Sequence, residues 1–412
     1  METAGQSPSV PTGNAIPWRA MRTLLGAGLG MFLNLGPVLV FSFGIFLRPI
    51  ASHTGWSVAA IASTMAPALV ITAALQPMSG VLLDRYGARR FALLSLAAFA
   101  CGLALLGSTP WNETSFLCFL VLATCLGAGQ TPLPYARLVA EQFDRRRGLA
   151  LGIALSFSGV GIAIWPQIAK VLLDAFSWRG AYVGLGALTA IMGALAILTL
   201  PQTPLRDASA TVQVTRPEQG EDLRGALRRP VFWILAVSFF TISAVITGST
   251  IHAPAILIER GQTVDAATTM ASIVGIASVV SRLLVGAALD GRSPFKVTFF
   301  VFLAPALGTL LLSRLENGTW LAALLIGVGL GAEADTLAYL TSRVFGMRHF
   351  GKIYGALMAA FLVGTSVGPA YFAYFLAGHG GYEAALMASA ISGAIAAFLV
   401  LTLRQPDRHD TR

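Results

Sequence analysis

Arg282 is the residue of this chain whose setting most strongly suggests binding chemistry. It lies within an apolar run, residues 266–291, that is long enough to cross a bilayer, which takes about 20 residues. A cation at membrane depth is costly and normally faces a bundle interior or a wet cavity. Because a guanidinium binds a carboxylate through two parallel hydrogen bonds, Arg282 is a candidate group for holding a small organic anion.

The spacing around Arg282 supports this interpretation. Ala271, Gly275, Ser278, Arg282 and Gly286 recur at three- and four-residue steps and therefore lie on one helix face. Small neighbours leave room for close packing or for a ligand, and Ser278 is a second candidate binding residue. The alternative is an arginine that snorkels to the membrane surface, about 10 Å further along the helix.

Glu333 and Asp335 are two acids inside another apolar run. Residues two apart on a helix point about 160° apart, so the two carboxyls cannot share one face. A buried carboxyl can carry a proton, and one hypothesis assigns proton coupling to Glu333. The other hypothesis is an ion pair between Glu333 and Arg137 that keeps one side of the protein shut.

Four further polar residues within apolar runs are candidates for lining a cavity: Asn34, Gln130, Tyr135 and His252. Each is also consistent with a helix–helix hydrogen bond, which contributes ~0.6 kcal/mol on average. A lone histidine near a helix end is often a structural group, so a binding role and a structural role both stay open for His252.

Composition excludes a soluble globular protein. The 412 residues are 55% apolar and only 11% charged, whereas about 25% charged residues is usual in soluble domains. No catalytic, nucleotide-binding or paired-cysteine motif is present, so we expect neither an enzyme nor a cofactor or metal site.

Hydropathy predicts twelve membrane-spanning helices in two sets of six, an all-α fold. The predicted spans are 23–47, 57–83, 91–109, 115–139, 149–173, 180–200, 231–257, 266–289, 297–313, 320–342, 352–377 and 384–403. The predicted domains are a disordered tail (1–18), a first bundle (19–200), a polar linker (201–230), a second bundle (231–403) and a second tail (404–412).

The distribution of Lys and Arg predicts the orientation. With both termini inside the cell, the loops on the opposite side hold only a small part of the 28 Lys and Arg residues: Arg48, Lys170, Arg179, Arg260 and Arg314. The net charge of +9 is therefore a topology signal and needs no nucleic-acid partner. We expect a multi-pass protein of the plasma or inner membrane that works as a monomer.

An internal repeat relates the two sets of spans. Gly148, Gly152, Gly161 and Pro166 recur as Gly351, Gly355, Gly364 and Pro369, each 203 residues later. Two parallel halves of six helices are the architecture of one large transporter class.

The segment from Gly80 to Arg90, with Asp84, Arg85 and Arg89, resembles the signature loop of the major facilitator superfamily. A weaker echo runs from Gly286 through Asp290. In that superfamily the resemblance implies a latch, made in one conformation and broken in the other. Asp84 would then stabilise the positive start of the eleventh span by ~0.3–1 kcal/mol, although the loop is also consistent with a solvated turn.

A narrower resemblance is to the monocarboxylate porter and oxalate/formate antiporter branch. It is carried by segments 41–46, 55–57, 143–148, 252–261 and 281–290. In that branch the arginine of the eighth helix binds the substrate carboxylate, which the resemblance places on Arg282. Two positions depart from the pattern: Phe41 stands where lactate porters have a lysine, and Ser278 where they have an acid.

These observations predict a secondary transporter of a small carboxylate anion, moved with a proton or by exchange. A proton-coupled exporter is the alternative, with Arg282 structural and Glu333 binding a cation. From another class, a transport-derived membrane sensor would need a signalling domain, for which the linker and tails offer little sequence.

Overall fold

The computed structural model describes residues 18–108, 112–143, 146–200, 220–314, 319–376, 378 and 380–403. Residues 1–17 of the first predicted tail, the whole second tail (404–412) and residues 201–219 of the predicted linker lie outside the described residues. Within the described part, eleven helical segments are long and apolar enough to cross a membrane, and Glu113–Leu126 is a shorter apolar helix. This agrees with the predicted all-α, twelve-span fold.

The described residues of the amino-terminal half form nine helices and one π-helical turn, Gly36–Val40, which separates α1 from α2. The helices are α1 (Trp18–Phe32), α2 (Phe43–Thr54), α3 (Val58–Ser63), α4 (Met65–Tyr86), α5 (Ala88–Gly107), α6 (Glu113–Leu126), α7 (Pro132–Gln142), α8 (Arg147–Ala175) and α9 (Trp178–Thr199).

The carboxy-terminal half follows a short helix, α10 (Leu223–Arg228), that lies within the predicted linker. Its long helices are α11 (Pro230–Glu259), α12 (Val264–Gly291), α13 (Pro294–Arg314), α14 (Thr319–Val344), α15 (Phe350–Leu376) and α16 (Gly381–Leu401).

The first predicted span, 23–47, is not one uninterrupted helix. Asn34 accepts a hydrogen bond from the Gly36 amide at 2.8 Å and donates to the Met31 carbonyl at 2.8 Å, so its side chain competes with the helical backbone. Pro37, which has no amide hydrogen, follows directly. The π-helical turn begins at this point.

The fourth predicted span, 115–139, is broken into α6 and α7. The break spans residues 127–131, which include two glycines, and Pro132 begins α7, where its missing amide hydrogen costs nothing. The Gln130 carbonyl accepts a hydrogen bond from the Leu35 amide at 2.9 Å. The two interrupted spans therefore meet at their interruptions.

Apolar packing shows that the two halves meet at one end of the molecule. One core contains residues of both halves, among them Leu83 and Leu151 with Leu289 and Ile353. Two other cores each lie within a single half, at residues 32–196 and 253–386. We call the end with the shared core, where α4 and α12 finish, the closed end.

Candidate functional site

The most extensive contacts between the halves at the closed end are made by two helix pairs, α4 with α15 and α8 with α12. In each pair, glycines face one another so closely that a Cβ on Gly80 would overlap the Gly351 carbonyl, and one on Gly148 would overlap the Gly286 carbonyl. Small residues at such positions let helix backbones touch. We refer to these two contacts as the glycine seams.

An aspartate closes each glycine seam. Asp84 accepts hydrogen bonds from the amides of Gly351 and Lys352, both at 2.9 Å. Asp290 accepts from the amides of Gly148 and Leu149, at 2.8 and 3.0 Å. Each carboxylate therefore satisfies free amides at the start of a helix in the other half, where the helix dipole favours negative charge.

Other charged side chains surround the seams. Arg137 forms ion pairs with Asp84 and with Glu141, the latter at 2.7 Å. Arg147, on α8, donates to the Ser342 hydroxyl on α14 at 3.1 Å and so adds another bond between the halves.

The remaining two residues of the signature loop do not bridge the halves. Arg85 is exposed and lies over the Tyr86 ring, 5.6 Å from its centroid. The Nε atom of Arg89 is buried without a hydrogen-bond partner. Within the described residues, neither arginine forms an ion pair across a seam.

Arg282 lies on α12 above its seam, and its guanidinium turns toward α14. It donates to Asp335 Oδ1 at 2.9 Å, with the Arg282 side chain 14% exposed and the Asp335 side chain 1% exposed. Gly331 makes this approach possible, because a Cβ there would overlap the Ser278 carbonyl. Arg282 is thus a buried, paired group and does not snorkel to the surface.

The face of α12 that carries Arg282 opens in the direction away from the closed end. Gly286 is buried against α8, and the Arg282 carbonyl faces Gly152. Gly275 and Ala271, further up the same stripe, are exposed, and a Cβ on Gly275 would meet nothing within 4 Å. Arg282 therefore lies between the tightly packed part of this stripe at Gly286 and its exposed part at Gly275.

Glu333 is buried, and it forms no ion pair with any residue that the structure describes. It lies one helical step from Gly329, whose face of α14 meets Pro305 and Ile246, and it is 6% exposed. Its Oε2 atom and Oδ2 of Asp335 are buried without hydrogen-bond partners. The hypothesised ion pair between Glu333 and Arg137 is not formed among the described residues, because Arg137 turns toward α4 and its own helix.

The side chains of Asn34, Gln130 and Tyr135 form hydrogen bonds inside the amino-terminal half. Asn34 donates to Ser158 at 3.1 Å, Gln130 donates to Ser95 at 2.7 Å, and the Tyr135 hydroxyl donates to Gln130 at 2.7 Å. All three predicted binding residues are buried, and these bonds all lie within the amino-terminal half. The structure does not bring them to Arg282.

His252 joins three helices of the carboxy-terminal half. Its Nε2 lies 3.3 Å from the Pro369 carbonyl and its Nδ1 3.4 Å from the Tyr382 hydroxyl, while the ring stacks on Phe372 at 5.2 Å. Ser278, the remaining predicted binding residue, donates to the Gly275 carbonyl of its own helix at 2.7 Å.

Comparison with known proteins agrees with this architecture. The family model described as Major Facilitator Superfamily matches residues 24–369. The chain belongs to this superfamily. It is therefore a multi-pass membrane transporter and not an enzyme.

Individual relatives are more distant. An uncharacterized 38 kDa protein in the 23S RNA operon of Thermoproteus tenax is 30% identical over 90% of each chain. Monocarboxylate transporter 11 of Mus musculus is 26% identical over 80% of this chain and 76% of that protein. The proton:xylose symporter XylE superposes with a TM-score of 0.72 at 16% identity, covering 94% of this chain and 96% of that one.

The superfamily repeat also reveals a residue that sequence reasoning missed. The Gln76 carbonyl faces Gly355 just as the Arg282 carbonyl faces Gly152, so Gln76 is the counterpart of Arg282 in the other half. Its amide donates to the Ala128 carbonyl at 3.0 Å, and its Oε1 accepts from Thr131 at 3.3 Å. The sequence did contain a signal for this residue. Gly80 and Asp84 recur 206 residues later as Gly286 and Asp290, and the same spacing applied one helical turn earlier relates Gln76 to Arg282.

Proposed function

We propose that this superfamily member moves a small organic anion bearing a carboxylate across the membrane by alternating access. The observation that carries the proposal is Arg282, a guanidinium only 14% exposed within a membrane-spanning helix and paired with Asp335. A cation there is expensive unless it is matched by an anion, and a planar guanidinium matches a carboxylate in shape and charge. The resemblance of segment 281–290 to monocarboxylate porters supports the same cargo.

Substrate binding begins with an exchange of partners. In the described structure Arg282 donates a hydrogen bond to one carboxylate oxygen of Asp335 at 2.9 Å. An incoming carboxylate that reaches Arg282 from the open end offers two oxygens and takes the place of Asp335. Asp335 then loses its counter-charge in a site that excludes water.

Proton coupling is assigned to the two acids of α14. Arg282 supplies one positive charge beside two carboxyl groups, Glu333 and Asp335, so full ionisation would leave an unbalanced buried negative charge. A proton held on Glu333 removes that imbalance, and a second proton suits Asp335 once the substrate has displaced it. Transport with protons and exchange of anions both remain compatible with this site.

Alternation between the outward-open and inward-open states requires the closed end to open. Rocking toward the other state separates the glycine seams and removes Asp84 and Asp290 from their helix starts. The Lys and Arg distribution assigns the closed end to the cytoplasm, so the described conformation faces outward with both termini inside.

Reconstituted protein tests the cargo. Labelled pyruvate, succinate, oxalate and phenylacetate are offered to proteoliposomes with and without a pH gradient. We expect uptake of at least one carboxylate, and its loss by about tenfold or more in Arg282→Gln, because a buried charge pair to the substrate disappears. Arg314→Gln, at an exposed arginine, is the matched control. Unchanged carboxylate flux in Arg282→Gln would disprove the proposal.

The environment of Glu333 supports a second candidate function, that of a proton-driven exporter of organic cations. Its buried, unpartnered carboxyl oxygen is a group that a cation would satisfy. Ethidium efflux from the same proteoliposomes tests it. Ethidium movement that is abolished by Glu333→Gln, with no carboxylate uptake, would select the exporter.

A further inference from the structure

The ion pair between Arg282 and Asp335 lies entirely within the carboxy-terminal half. α12 and α14 are in backbone contact, since a Cβ on Gly331 would overlap the Ser278 carbonyl and one on Gly327 would lie 2.6 Å from the Val274 carbonyl. Rocking of one half against the other therefore leaves the pair intact. Only a competing anion in the cavity separates Arg282 from Asp335.

This placement decides what happens to an empty carrier. To change conformation, the protein must pass through a state in which the cavity is shut and its water expelled. An unpaired guanidinium resists that step, because a buried charge without a counter-charge is strongly unfavourable. Arg282 already has a counter-charge and is only 14% exposed, with Asp335 1% exposed.

We infer that Asp335 acts as a built-in substitute for the substrate, neutralising Arg282 so that the empty protein can reorient. The inference rests on the proposed carboxylate binding at Arg282. It assigns the mode of transport: net movement of the anion in one direction, with no need for a second anion on the return. A carrier with Arg282 unpaired would instead be confined to one-for-one exchange.

The test compares two fluxes in proteoliposomes loaded with labelled pyruvate. Net efflux is measured into pyruvate-free buffer, and exchange is measured into buffer with unlabelled pyruvate. In the unaltered protein both fluxes proceed at similar rates. In Asp335→Asn, net efflux falls by about tenfold or more while exchange persists, because only the empty return is blocked. Asp174→Asn, in an exposed ion pair with Lys170, is the matched control.

A rescue separates neutralisation from a merely structural role of Asp335. Ser278 lies four residues before Arg282 on the same face, within reach of an ion pair along the helix. The double variant Ser278→Asp with Asp335→Asn should regain net efflux. Net efflux and exchange that fall together in Asp335→Asn, or that both stay unchanged, would overturn the inference. Failure of the proposed function looks different, since Arg282→Gln would then leave pyruvate flux intact.

Discussion

Arg282, Asp335 and Glu333 place one guanidinium and two carboxyl groups on two neighbouring helices. Only one carboxylate oxygen is bonded to the guanidinium, and one oxygen of each acid is buried without a partner. Buried polar atoms are nearly always satisfied in native proteins, so each exception calls for an explanation. Two of the exceptions in this structure lie on the acids to which we assign protons.

Replacing Glu333 by Gln should separate proton coupling from anion binding. The amide keeps the shape of the side chain but cannot release or take up a proton. We expect uptake driven by a proton gradient to fall by about tenfold, while exchange at equal pH stays within about twofold. Labelled pyruvate flux in proteoliposomes measures both.

The control for that variant is Glu383→Gln, which alters an exposed acid in the first turn of α16. Gradient-driven uptake that survives intact in Glu333→Gln would remove the coupling role from this residue.

At this scale the sequence was informative about which residues matter but not about their partners. Arg282 and the two acids were identifiable because charge inside an apolar run is rare. The partner of Arg282 was not, since Asp335 is 53 residues away and only the rotation of α14 selects it over Glu333. The same limit applies to the hypothesised pairing of Glu333 with Arg137, which is not formed among the described residues.

Among the elements, the glycine seams determine how the halves separate. Backbone meets backbone at Gly80 with Gly351 and at Gly148 with Gly286, and an aspartate closes each seam from the opposite helix. No side chain has to rearrange within these contacts when they part. The two backbone contacts can therefore part without repacking, whereas the apolar core shared by the halves must also separate when the closed end opens.

Gly148→Ala should weaken the closed end, because the new methyl group overlaps the Gly286 carbonyl. We expect the distance between spin labels at Gln142→Cys and Arg348→Cys, two exposed positions in opposite halves, to shift toward longer values. The background has Cys101, Cys118 and Cys125 replaced by Ser. Double electron–electron resonance measures the distribution of distances between the two spin labels.

Gly44→Ala is the comparison, since a Cβ there would meet nothing within 4 Å. Identical distributions in the two alanine variants would show that the seam does not hold the closed end.

Helix positions followed from hydropathy, whereas helix interruptions did not. Both broken spans are apolar on average, so a window average passes over the interruptions. Asn34 before Pro37, and the two glycines before Pro132, were the available signals. Their effect depends on bonds between spans, such as Leu35 to Gln130, which no local pattern contains.

For the molecule as a whole, the shared core at one end and separate cores at the other define an open and a closed face. The repeat of glycines at a spacing of 203 residues predicted the relation between the halves, because the same contacts must recur in each. Which face was closed could not be predicted, since both states are built from one sequence.

The predicted orientation can be tested on intact cells. A cysteine at Asp174, at the far end of α8 from the closed end, should react with a membrane-impermeant maleimide from outside. A cysteine at Gln142 should react only after permeabilisation. The opposite pattern would invert the topology and make the described conformation inward-facing.

The amino-terminal half has uncharged residues at the two positions that correspond to Arg282 and Asp335. Gln76 stands where its partner half has Arg282, and Leu133, fully buried on α7, stands 202 residues before Asp335. Converting them together, Gln76→Arg with Leu133→Asp, would introduce a second ion pair at the equivalent position of the amino-terminal half. The variant would then have one arginine for each carboxylate of a dianion. An increase in succinate flux would show that the repeat can be used to change the selectivity for the substrate.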